Sequence, residues 1–147
     1  MKNSVRMVLA TLVVATVASV VARAEDVPYT EGSVYDITFI RTKPGGEDAY
    51  MKFLATTWKS LQEQAKSDGL IVSYKVIGGA AANKDDWNIA LVVEFKNMAA
   101  LDGLEAKARA LIEKMAGSST KANEAAMKRD EIREIIGSKL CREVILK

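Results

Sequence analysis

An amphipathic helix launched from a strand through a proline-glycine turn constrains this chain more than any other feature. Tyr50, Phe53, Leu54, Trp58, Leu61 and Ala65 recur at steps of three and four, with Lys52, Lys59, Glu63 and Lys66 between them. That spacing gives a helix over about Gly46 to Ser67 with one apolar stripe, which needs a sheet or another helix to cover it. Lys43-Pro44-Gly45-Gly46 specifies its start. Proline fixes φ, the glycines open conformations that side chains disfavour, and Glu47 and Asp48 place negative charge at the first turn. Ser67-Asp68-Gly69 specifies its end, with glycine suited to the left-handed position just past a helix.

The flanking segments read as strands. Val34 to Arg41 alternates, with Tyr35, Ile37 and Phe39 on one face and Asp36 and Thr38 on the other. Leu70 to Ile77 is a β-branched run, Gly78 to Asp86 a small polar connection, and Trp87 to Phe95 the clearest alternation of all. Asn97 is a good N-cap for a second helix through about Met115, weakened near its start by Gly103, which costs about 1 kcal/mol relative to alanine. A third helix is expected over about Lys121 to Ile136, ended by Gly137, with a last strand over Leu140 to Leu146. The order β-α-β-β-α-(α)-β contains two similar halves. This is the split βαβ arrangement of an α+β, ferredoxin-like domain, a four-stranded antiparallel sheet with helices on one face.

The N-terminus bears on compartment. Lys2 and Arg6 precede an uncharged apolar run of 16 residues, Met7 to Ala22, and Ala22-Arg23-Ala24 supplies a small-x-small cleavage site. The pattern is a secretory signal peptide over residues 1–24, too short for the roughly 20 residues of a spanning helix. Residues 25–33 then form a flexible leader and 34–147 the folded domain. The protein is expected to be exported, periplasmic or secreted, with no membrane anchor after cleavage. Loss of Lys2, Arg6 and Arg23 turns the full-chain charge of +2 into −1, with 18 basic and 19 acidic residues in the mature chain. A near-neutral surface of interspersed signs offers no footprint for nucleic acid or anionic lipid. The single cysteine, Cys141, forms no intramolecular bridge and reads as a buried thiol, with an intermolecular disulfide as the alternative. The chain has no histidine, which removes the commonest general base and metal ligand. Neither a metal nor a cofactor is expected.

With Ile37, Phe39, Ile89, Leu91, Val93 and Phe95 facing the helices, the opposite face carries Val34, Asp36, Thr38, Ile40, Ile71, Ser73, Lys75, Ile77, Asn88, Ala90, Val92 and Glu94. That set is too apolar for a solvated sheet and too polar for a dry core. Two such sheets packed together enclose a partly polar space, so a homodimer is expected. The element order over Val34 to Lys147, with the pattern Lys43-Pro-Gly-Gly, Tyr50, Trp58-Lys59-Ser60-Leu61 and Gly69, resembles the dimeric α/β-barrel superfamily of ferredoxin-like proteins. That superfamily includes antibiotic-biosynthesis-type monooxygenases and stress-responsive barrel proteins. The resemblance implies a dimer whose two sheets form a barrel, with a pocket between sheet and helices. Related enzymes that use histidine as a base or haem ligand are poor guides to a chain that has none.

The candidate pocket residues are Asp36, Thr38, Ser73, Lys75, Asn88, Glu94, Tyr74 and Trp58. Asp36, Lys75 and Glu94 converge for acid-base work, compensate one another's charge in a dimer interior, or simply lie on an exposed face. Tyr35, Tyr50, Tyr74, Trp58 and Trp87 either line a pocket for a flat organic ligand or belong to the core. The charged run Lys128 to Glu134 reads as a solvated helix face. Two functions stay open. One is an exported homodimer that binds a small apolar or aromatic molecule, or none. The other is a cofactor-independent monooxygenase or isomerase acting on an aromatic or polyketide-like substrate.

Overall fold

The structure, a computed structural model, describes residues 27–147, so the expected signal peptide lies outside the described residues. The chain runs β1 (Tyr29–Thr42), α1 (Glu47–Phe53), a π-helical turn (Leu54–Trp58), α2 (Lys59–Ser67), β2 (Ser73–Gly78) and β3 (Ile89–Phe95). A 3₁₀ turn (Met98–Leu101), α3 (Leu104–Ala116), α4 (Ser119–Ile132) and β4 (Arg133–Leu146) follow. The strands form one antiparallel sheet in the order β2-β3-β1-β4, the ferredoxin-like topology expected from the two halves.

The register of β1 decides what each face carries. Asp36 pairs with Val93, Thr38 with Leu91 and Ile40 with Ile89. Directly opposed residues share a face, so Val34, Asp36, Thr38 and Ile40 lie under the helices with Phe95, Val93, Leu91 and Ile89. Ile37 and Phe39 lie on the outer face, opposite Val92 and Ala90. The expected orientation is thus observed in β3 and inverted in β1, where a one-residue change of phase exchanges both faces. The physical reason is that β1 has apolar residues in both phases. Val34 and Ile40 are 0% and 1% exposed and outweigh Ile37 and Phe39 in the competition for the core. Ile71, also expected on the outer face, packs beneath the helices with Val34, Ala65, Phe95 and Leu111. A second cluster joins Ile40, Tyr50, Leu54 and Ile89.

Other boundaries shift for identifiable reasons. The first helix is continuous, but it widens to π geometry at Leu54–Trp58. The Asn97 side chain caps only the 3₁₀ turn, accepting from the Ala100 N–H at 3.1 Å. Gly103, at φ 67°, separates that turn from α3. The helix α4 stops at Ile132, so Ile135, Ile136 and Gly137 belong to β4, where Ile135 pairs with Ile40 and Gly137 with Phe39. Residues 29–31, expected in the leader, form the start of β1 and pair with Leu146, Ile145 and Val144. Cys141 is half-buried rather than buried, opposite Tyr35 on the outer face. Among the described residues no helix is long and apolar enough to cross a membrane.

Candidate functional site

A cavity of about 300 Å³ lies between the sheet and the helices. Its floor is Thr38 and Ile40 of β1, Leu91 of β3 and Ile135 of β4. Tyr50, Phe53, Thr57, Trp58 and Leu61 form one wall, and α3 and α4 close the other with Ile112, Met115, Ala122 and Ala125. The π turn supplies Thr57 and Trp58 to this wall. One extra residue in a helical turn re-aims side chains, and such turns recur at functional sites. Met115 and Ile135 are 43% and 53% exposed, so the chamber reaches solvent along their edge.

The chamber's charge comes from Arg129 and Arg133. The Arg129 guanidinium carbon sits 4.8 Å from the centroid of the Phe53 ring, and that of Arg133 sits 5.9 Å from the Tyr50 ring. Both distances suit attraction between a cation and a π face. Burial, and secondarily the charge of Arg133, holds the Arg129 guanidinium below its usual range. Burial pushes the Tyr50 phenol up, against the opposing pull of Arg133 and Arg129. Tyr50 and Phe53 stack with ring centroids 5.9 Å apart.

The proline-glycine turn positions this cationic wall. The Lys43 N–H donates to the Ile132 carbonyl at 2.9 Å, and Lys43 Nζ donates to the Asp130 carbonyl at 2.6 Å. A Cβ on Gly46 would overlap the Ile132 carbonyl oxygen, so glycine is required there for close approach. The turn therefore holds the junction of α4 with β4, from which Arg129 and Arg133 project.

The candidate residues named from sequence separate into four groups. Thr38 and Trp58 line the chamber, and Tyr74 stands behind Trp58 in an edge-on contact at 5.3 Å while its hydroxyl donates to Glu63. Asp36 lies under the helices in a smaller neighbouring recess with Leu61, Gln62 and Val93, and burial raises its carboxyl. Ser73, Lys75 and Glu94 are on the opposite face, where Ser73 Oγ donates to Glu94 Oε2 at 2.5 Å. That hydrogen bond is the largest influence lowering the Glu94 carboxyl. Of the alternatives for Asp36, Lys75 and Glu94, convergence is not formed, because the sheet stands between Asp36 and the other two. Asn88 is a structural clamp: its Oδ1 accepts from the Thr42 N–H at 3.0 Å, and its Nδ2 donates to Thr42 Oγ1 at 2.7 Å.

Arg129 and Arg133 correct the reading of Lys128 to Glu134 as a wholly solvated face. The pointer was available: Ala122, Ala125, Arg129 and Ile132 recur at steps of three and four, which puts an arginine in a stripe of small and apolar residues. Among the described residues no cluster of three or more cysteines, aspartates or glutamates is arranged to hold a metal ion.

No protein-family model matches the chain, and no curated protein does. Among solved structures it is similar to HapK from Hahella chejuensis, at 13% identity over 75% of this chain and 91% of that one, with a TM-score of 0.50. It is also similar to a dimeric ferredoxin-like protein from an uncultured marine organism, at 13% identity over 80% of this chain and 90% of that one, TM-score 0.46. What is shared with HapK is the fold alone.

Proposed function

We propose that the mature chain is an exported homodimer that binds a small apolar or aromatic molecule in the chamber between sheet and helices. The observation that carries this reading is the chamber itself, about 300 Å³ with Tyr50, Phe53 and Trp58 on one wall and an edge open to solvent. That volume stands at the small end of the range for ligand sites and suits a molecule of one or two rings. Export is supported by the pattern of residues 1–24. Dimerisation is supported by the outer sheet face, where Tyr35, Ile37, Phe39 and Ile77 stay at least partly exposed among Lys75, Glu94 and Lys139. The helices cover only the other face, and a second copy supplies both the apolar area and the complementary charges.

Turnover by a cofactor-independent monooxygenase or isomerase has less support. The titratable groups lining the chamber are Tyr50, Arg129 and Arg133, and a phenol pushed up by burial stays protonated at neutral pH and offers no free base. The test of binding is calorimetric titration of the mature protein with uncharged 2-naphthamide. Saturable binding at one site per chain is expected, lost in Ala125→Trp, which fills the chamber from an exposed helix position. Unchanged binding in that variant would overturn the proposal, as would failure of the wild type to bind either this amide or the corresponding 2-naphthoate.

A further inference from the structure

Arg133 contains a polar atom that its own fold leaves unsatisfied. The side chain is only 10% exposed, and Nη2 reaches Asp130 Oδ1 at 3.4 Å, the aspartate side chain being 68% exposed. Nε is buried and has no hydrogen-bond partner. Such donors are rare in folded proteins, and a charged one costs more to leave unpaired than a neutral one. One turn earlier, Arg129 rests on the Phe53 ring, and among the described residues no carboxylate lies within ion-pair distance of it. Two guanidiniums thus share a chamber whose lining contains no acid. Their mutual repulsion, strengthened by the apolar surroundings, is offset on the protein's side by Tyr50 and by Asp130, the latter at the surface.

Resting on the reading of the chamber as a binding site, we propose that its ligand is a planar organic anion, a carboxylate attached to one or two rings. The carboxylate accepts from Arg133 Nε, and the ring lies against Tyr50, Phe53 and Trp58. Three features fit this class together. A guanidinium in an apolar setting binds carboxylate more strongly than it does in water. The aromatic wall favours a flat body over a branched one. Arg129, already stacked on Phe53, supplies long-range attraction at the same end of the chamber.

The test compares 2-naphthoate with its neutral isostere 2-naphthamide by calorimetry on the mature protein at pH 7. The proposal predicts that the wild type binds naphthoate at least about tenfold more tightly than the amide, the scale of one hydrogen bond to a charged group. Arg133→Gln should abolish that preference, bringing the two affinities to within about threefold of each other. Arg133→Lys, which retains the charge but lacks Nε, should restore only part of it. Equal affinity of the wild type for both compounds overturns the anion assignment and leaves binding in the chamber standing. Failure of both to bind overturns the binding reading and the anion assignment together. A preference that persists in Arg133→Gln overturns the role of Arg133, and because the wild-type comparison needs no variant, a misfolded variant does not remove the test.

Discussion

At the scale of single residues, the carboxyl of Asp36 gives the sharpest consequence. Burial raises it, so its contribution to stability is fully present below the ordinary carboxylate range and is lost as pH rises through its raised folded value. Asp36→Asn removes that loss. The variant is predicted to melt above the wild type at pH 7 and close to it at pH 3, measured by thermal unfolding at both pH values. An equal difference at the two pH values would show that Asp36 is charged in the fold without penalty. Why Asp36 was assigned to the wrong face is also a residue-scale matter. Period-two alternation says which residues share a face, but not which face is buried, and β1 offers apolar residues in both phases. Arg129 and Arg133 were obscured differently. Arginine's long apolar stem lets it join a buried stripe with its charged head intact, so a charge-rich run such as Lys128 to Glu134 conceals a lining face.

At the scale of elements, the sequence was most legible where a local rule acted alone. The start of the first helix at the glycine turn, its end at Gly69 and the strand core of β3 follow from turn chemistry and alternation. Elements were less legible where tertiary pairing prevailed. Residues 133–139 join β4 because β1 is long enough to pair with them, overriding Gly137 as a helix terminator. The turn at Lys43 to Gly46 has a role that no local rule reveals: its backbone grips Ile132 and thereby sets the cationic wall of the chamber. Gly46→Ala is predicted to displace that junction, costing about 1–3 kcal/mol in denaturant unfolding, the usual range for forcing extra volume into a packed contact. It should also weaken naphthoate more than the amide, because Arg133 moves with the junction. A variant as stable as the wild type would mean that α4 tolerates the displacement.

At the scale of the whole molecule, one sheet has two differently used faces. The helices and one face enclose the chamber, while the other face presents Ile37, Phe39 and Ile77 beside Lys75 and Glu94. Light scattering on the mature protein is predicted to give the mass of two chains at micromolar concentration. Ile37→Lys, placed at the centre of the outer face, should reduce it to one while far-ultraviolet circular dichroism stays unchanged. A one-chain mass for the wild type would exclude the dimer and leave the chamber untouched, because the described chain builds the chamber's lining by itself.

We propose that a ligand binds in the helix-side chamber and not on the outer sheet face. Amide and side-chain chemical shifts recorded during titration with 2-naphthoate test it most directly. The account predicts that the largest shifts fall at Tyr50, Phe53, Trp58, Arg129 and Arg133. Shifts confined to Ile37, Lys75, Val92 and Glu94 on the outer face would contradict it.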